Sequence, residues 1–402
     1  MKILNIKNIN FIKFSSLQYV SIIISFGLNF FLAKNTSQED YGIYSLGLLL
    51  FNTIIAVKDY GLERNSLVRL NLAKLNSNLR EEYSSQFIVR LLTLIFLVIL
   101  GTFYIIFNDL GFYLYFYLLA AFFLSITPKF FFDFNNFFIK ESFLSIFDRL
   151  IILFLLISLY VYENFDIFYI SLSYFISRLF YFILTISDLR NWIGYKFIKQ
   201  NIIKNILSYN FLFWLTSVFN IILLNINQLV LTSKGGVLDL AVFSFALQFI
   251  SILKILQNQF LRWKIPDLSK MISQHSLSIA KINKVLFRAF LFSAVFSSII
   301  YFIASIVINN YFLEYKASLE VLLILCVWSI FYGPGLINSY ILSNKIKPSI
   351  FFIVSVFFTS VSLFMNVLFE IDYILTAYII VIPHTVSMFV QYYLTYKNYA
   401  EN

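Results

Sequence analysis

The chain has 402 residues, 60% hydrophobic and 12% charged, whereas a soluble domain carries about 45–50% apolar and about 25% charged residues. So much apolar surface cannot be hidden in one water-bathed core, which excludes an ordinary soluble enzyme or binding module and requires lipid as solvent. The formal charge is +10, but the basic residues sit in short gaps between apolar runs, a pattern of membrane topology rather than of nucleic-acid binding.

A helix needs roughly 17–25 apolar residues to cross a bilayer. Such runs predict about twelve spans, at 15–33, 41–57, 84–107, 112–131, 143–162, 167–187, 207–232, 240–261, 285–309, 317–342, 349–369 and 373–395. The fold class is therefore an all-α integral membrane protein. Lys2, Lys7 and Lys13 precede the first run, which leads into Lys34-Asn35-Thr36-Ser37 without a small-residue cleavage pattern, so it reads as a span and not a leader. The single cysteine, Cys326, lies in an apolar run and reads as a small buried hydrophobe; it excludes an internal disulfide framework.

Alternate gaps differ sharply in charge. Gaps assigned to the cytoplasm hold 21 Lys and Arg, gaps assigned to the periplasm hold Lys34, Lys234 and Lys316, and the other 6 of the 30 fall within spans. Basic loops stay inside, so both termini are expected in the cytoplasm and the protein in a bacterial inner membrane. The larger inner gaps, 58–83, 188–206 and 262–284, are basic and partly amphipathic; they either lie on the anionic leaflet or are plain connectors. The outer gaps reach only about seven residues, too short for a folded extramembrane domain.

Residues 40–47, Asp-Tyr-Gly-Ile-Tyr-Ser-Leu-Gly, echo residues 239–246, Asp-Leu-Ala-Val-Phe-Ser-Phe-Ala, at an offset of 199, close to half the chain. Both open the second span of a six-span half. Duplication then predicts two six-helix lobes, residues 1–200 and 201–402, related by a pseudo-two-fold along the membrane normal, with a cleft between them suited to alternating access.

Phe31-Leu32-Ala33-Lys34, Asp40-Tyr41-Gly42-Ile43-Tyr44-Ser45-Leu46, Asp59-Tyr60-Gly61-Leu62 and Ser66-Leu67-Val68-Arg69 together resemble the signature of the polysaccharide (O-antigen, Wzx-type) flippase family. That family belongs to the multidrug/oligosaccharidyl-lipid/polysaccharide exporter superfamily. Ile265-Pro266-Asp267-Leu268-Ser269-Lys270 is a weaker echo. The motif match covers about the first 70 residues, while the span count matches throughout. The resemblance implies a central cavity and an undecaprenyl-pyrophosphate-linked oligosaccharide, an O-antigen or capsule/exopolysaccharide repeat unit, moved from the cytoplasmic to the periplasmic leaflet. It also implies a polysaccharide polymerase and a chain-length regulator as partners. It implies no cofactor; a coupling ion, H+ or Na+, is left open.

Charges inside a bilayer cost about 2.5–3.5 kcal/mol on insertion scales, so they usually face protein or water. The candidates are Arg178, Arg149, Lys254, Arg90 and Arg288, with Lys58 nearer an end. Arg178 is deepest, roughly 16 Å from either end at 1.5 Å per residue; it either lines a cavity or pairs with an acid or backbone carbonyls. Arg149 and Lys254 lie within two turns of the inner end, where snorkelling is the alternative to a cavity role. A cationic cleft suits pyrophosphate, which the planar arginine fork can grip twice. Gln18, Asn29, Asn220, Asn225, Asn227 and Gln228 could meet sugar hydroxyls or bond neighbouring helices. Gly333-Pro334-Gly335 is either a hinge or a packing break, and His384 either a weak proton relay or a packing histidine. Two rivals are a cation-coupled small-molecule exporter of the multidrug branch and a membrane enzyme of polysaccharide assembly. The enzyme lacks support, with no recognisable nucleophile–base pair or metal-ligand cluster.

Overall fold

The computed structural model describes all residues except 1, 63–65, 76, 128–131, 133, 136, 164, 191–193, 195–196, 274–277, 344–347, 370–371 and 401–402. The described residues are helical throughout, with no strand. In chain order the helices are α1 Lys2–Asn35, α2 Gln38–Val57, α3 Ser66–Leu75, α4 Leu79–Phe107, α5 Leu114–Ile126, α6 Phe138–Val161, α7 Ile167–Arg190, α8 Gln200–Lys234, α9 Val237–Ser273, α10 Ile279–Tyr311, α11 Ser318–Ser343, α12 Pro348–Leu368 and α13 Tyr373–Ala400. A 3-10 turn at Leu313–Tyr315 precedes α11.

Each of the twelve expected spans falls on a helix, and α3 is an additional short helix inside the first basic gap. Eight helices among the described residues are long and apolar enough by themselves to cross a membrane. The other four differ for identifiable reasons. The apolar part of α1 is described from Val20 to Asn35, and that of α12 from Val356 to Asn366. In α8 the side chains of 213, 216, 220, 222–224 and 226 lie outside the described residues. The expected span 112–131 is a helix of 13 residues, about 20 Å at 1.5 Å per residue and short of the hydrocarbon thickness; residues 128–131 lie outside the described set. The gap 262–284 is also largely helical, since α9 continues to Ser273 and α10 begins at Ile279.

The chain forms two compact units, Met1–Val218 and Phe219–Asn402, with the boundary inside α8. In the first, α5 packs on α2, α4 and α7, and α6 packs on α1 and α7. In the second, α11 packs on α9, α10 and α13. The lipid-facing side is visible in exposed Phe96, Phe103, Phe154, Phe302, Phe357 and Phe364. The interior holds aromatic residues beside small ones: Tyr117 lies where a Cβ on Gly47 would stand, at 2.3 Å. Only glycine lets α2 and α5 approach this closely.

Local signals fix the ends. Ser37 caps α2 by accepting from the Asp40 amide at 3.0 Å, with Glu39 and Asp40 in the first turn. Gly236, at φ +91°, turns the chain from α8 into α9, and the Gly235 amide donates to the Leu231 carbonyl at 2.7 Å. The two repeated octets both lie at the start of the second long helix of their half, and both are mostly buried: Tyr41, Tyr44, Leu46 and Gly47 in α2, Leu240, Ala241, Phe243, Phe245 and Ala246 in α9.

Candidate functional site

Polar groups buried in apolar helices must find partners, because hydrocarbon offers none. Each unit solves this differently.

In the first unit Arg178 on α7 donates to the Asp148 carboxylate on α6, and its guanidinium carbon lies 5.3 Å from the centre of the Phe51 ring on α2. Ser177 also donates to Asp148, through both its carboxylate and its backbone carbonyl. Arg178 is 8% and Asp148 2% exposed, so the deepest cation is part of a buried ion pair held within this unit. Arg149, next to Asp148, behaves otherwise. It donates to the Ser25 hydroxyl on α1, its Nε has no hydrogen-bond partner, and no carboxylate pairs with it among the described residues. Beside it, Tyr44 donates to Asn29 at 2.5 Å and shares a hydrogen bond with Tyr174 at 2.6 Å. Tyr117 meets Tyr44 edge-on and Tyr174 at a tilt, completing an aromatic core across α2, α5 and α7.

Arg90 belongs to a second network at the end of α2 and α4. Its Nε reaches Asp59 at 3.1 Å and its NH1 reaches Gln86 at 3.4 Å. Gln86 donates to Glu82 and accepts from Ser66, and Glu82 is gripped by Arg69 at 2.6 Å. The motif residues Asp59, Ser66 and Arg69 are thus tied through one network to the start of α4. Tyr60 and Gly61 take φ values of +49° and +69°, Tyr60 stacks on Trp214 at 5.1 Å, and Leu62 is fully buried. Partial burial raises the Tyr60 phenol above its ordinary pKa. At the opposite end of the same helices, burial and then the carboxylates of Asp40, Glu39 and Asp166 raise the Tyr113 phenol. One end of this unit is acidic and the other is laced with arginine.

In the second unit Lys254 on α9 has no carboxylate or hydrogen-bond acceptor among the described residues. Its ammonium lies 5.1 Å from the centre of the Trp328 ring on α11, a cation–π contact. His384 on α13 meets the same indole edge-on at 5.7 Å, and its Nδ1 lies 3.0 Å from the Ile380 carbonyl. One turn beyond Lys254, Gln257 donates to the Ser293 hydroxyl at 3.0 Å and the Ser329 carbonyl at 2.6 Å. Lys254, Trp328 and His384 therefore form a single cluster across three helices, around the buried Trp328 indole.

The remaining candidates divide. Asn227 is buried and accepts from Asn366 and from Ser362 at 3.1 Å, so it bridges α8 and α12. The side chains of Gln18 and Asn220 lie outside the described residues. Arg288 is exposed on α10. Gly333-Pro334-Gly335 lies inside an uninterrupted helix, Ser318–Ser343. A Cβ on Gly333 would stand 2.3 Å from the Ser293 hydroxyl, and one on Gly335 would stand 2.8 Å from Met388, so these glycines seat α11 against α10 and α13. Sequence reasoning did not find the Tyr44–Tyr174 pair or the Trp328 platform. The signal for the first was weak, two tyrosines far apart in the chain; for Trp328 there was none beyond a lone tryptophan in an apolar run.

This all-helical arrangement is shared with solved transporters. A multidrug-resistance MATE transporter in an inward-facing conformation superposes with a TM-score of 0.68 over 96% of this chain and 94% of its own, at 13% identity. The lipid II flippase MurJ, inward closed, superposes with a TM-score of 0.74 over 97% of this chain and 89% of its own, at 16% identity. A MOP superfamily transporter from Pyrococcus furiosus, described as having a binding pocket of reversed polarity, gives 0.62 over 97% and 95%, at 12% identity. No family model matches the chain, and no curated protein matches it in sequence.

Proposed function

We propose that the chain is a flippase of lipid-linked oligosaccharides, carrying an undecaprenyl-pyrophosphate-linked repeat unit of a surface polysaccharide from the cytoplasmic to the periplasmic leaflet by alternating access. The observation that carries this reading is that, among the described residues, each unit keeps a cation among its packed apolar helices with no carboxylate partner: Arg149 in the first, Lys254 in the second. An unpaired intramembrane cation is expensive. Retaining two suits an anionic cargo head, and a multidrug exporter for cations has no use for them. Arg178 is neutralised by Asp148, so in this proposal it holds α6 against α7 and positions Arg149, the residue next to Asp148. The fold shared with a lipid II flippase supports a lipid-linked cargo.

The charge count supports a bacterial inner-membrane location with both termini in the cytoplasm, and the acidic end around Asp40 and Asp166 then faces the periplasm. The polymerase and chain-length regulator of the same assembly line are the expected partners. A second reading, small-molecule export coupled to a cation, is favoured by the MATE likeness and by the His384–Trp328–Lys254 cluster.

The test is deletion of the gene in a strain that makes surface polysaccharide, followed by complementation. The flippase reading expects undecaprenyl-linked units to accumulate on the cytoplasmic leaflet, surface polymer to vanish, and the wild-type gene to restore it. Normal polymer with no accumulation, or a gain of drug resistance on expression, favours the exporter instead.

A further inference from the structure

A groove of about 450 Å³ runs along the second unit between α10, α11 and α13, within the size range of small-molecule sites. Phe287 and Phe290 form one wall and Phe331 and Phe389 the others, with Pro334, Gly335 and Met388 between them. Phe287 and Phe389 are well exposed, so the groove opens sideways to whatever surrounds the helices, which for apolar helices is lipid. It is polar at one end only. Asn283, Asn338 and Tyr392 sit where α10 begins and α11 and α13 end, and Tyr392 donates to Asn283 at 3.1 Å.

Asn338 carries the argument. Its Oδ1 accepts from Thr395 at 2.7 Å, its side chain is buried at 2% exposure, and its Nδ2 has no hydrogen-bond partner. A buried amide donor left without an acceptor costs on the order of 1–3 kcal/mol, and this one borders the groove. The missing partner is an acceptor oxygen. The charges beside it agree in sign. Lys281, Lys284 and Arg288 lie three and four residues apart, exposed on one face of α10, and that helix contains no acid. The adjacent face, Asn283, Phe287 and Phe290, lines the groove.

We infer that this groove holds the phosphate-proximal isoprene units of the lipid carrier's prenyl chain, with Asn338 donating to a phosphate oxygen and the α10 cations flanking it. This rests on the flippase reading and gives the cargo's lipid end a seat on one unit. One groove for one chain, ending directly in donors and cations, fits a single-chain prenyl phosphate; a glycerophospholipid has two chains joined at a glycerol.

The experiment uses the full chain in phosphatidylcholine nanodiscs, titrated with undecaprenyl phosphate and, separately, with dioleoyl phosphatidylglycerol, and read by native mass spectrometry. Asn338→Leu removes the orphan donor and keeps the side-chain volume, while the Thr395 hydroxyl retains the Gln391 carbonyl at 3.0 Å. Lys284→Ala with Arg288→Ala changes only exposed residues and guards against a folding failure. Undecaprenyl phosphate binds the wild type in preference to phosphatidylglycerol, and each variant weakens it about tenfold, the loss of one charge-assisted hydrogen bond. Equal binding of the two lipids, or unchanged binding by both variants, overturns the assignment. The two readings separate cleanly. A wild type that binds the carrier in the groove yet restores no polymer in the deletion strain removes the flippase reading and leaves the groove. Variants that lose the carrier yet export at the wild-type rate remove the groove from the transport path and leave the flippase.

Discussion

Asp148 and Arg178 bind each other across α6 and α7, and the residue next to Asp148, Arg149, is left without a carboxylate. Two arginines at similar depth thus have different tasks: one is consumed in holding two helices together, and the other keeps its charge available.

Removing one partner of a buried pair strands the other charge. Asp148→Asn is therefore expected to cost about 3–5 kcal/mol, seen as a large fall in melting temperature of the detergent-solubilised protein. The double change Asp148→Leu with Arg178→Met should recover most of that loss. A single Asp148→Asn protein as stable as wild type would show that the pair does not form in the membrane.

Arg149→Ala and Lys254→Met should leave folding nearly intact, because neither breaks an ion pair among the described residues. If the cargo head is anionic, each lowers polymer export at matched membrane levels by about tenfold or more, the value of a charge-assisted contact. Arg149→Lys should restore part of the activity. Wild-type export from both neutral variants would remove these cations from the cargo path.

Trp328 supports Lys254 through its ring face, a contact of about 0.5–2 kcal/mol. Trp328→Leu is expected to reduce export more than stability and Trp328→Phe to retain most of it. Equal losses in the two variants would mean that indole packing, rather than the cation–π contact, matters.

Gly333→Ala places a methyl against the Ser293 hydroxyl, which receives the Gln257 hydrogen bond. Overpacking of this kind costs about 1–3 kcal/mol. Adding Ser293→Ala removes the obstructing atom and should return most of the melting temperature. Failure of the second change to help would place the strain elsewhere in α11.

Tyr44→Phe removes the donor to Asn29 and the hydroxyl that Tyr174 bonds and is expected to cost about 0.5–1.5 kcal/mol, read as a modest fall in melting temperature with the helix content unchanged.

The membrane class, the long helices and their order were legible in the chain itself, because a span is a local property: about twenty apolar residues suffice, and loops betray their side by their lysines. The repeat was legible for the same reason, since residues 40–47 and 239–246 are short and near in kind. Of the expected span 112–131 the described helix is Leu114–Ile126, because apolarity says where a helix is welcome and not where it starts. What only the tertiary structure decided was partnership. Sequence depth singled out Arg178 as the foremost cavity cation, yet Asp148 sits across from it, while Arg149 and Lys254, which snorkelling could have explained, have no acid. Helix ends and apolar periods are set within a few residues of chain, but which charge is neutralised depends on atoms brought together from distant helices.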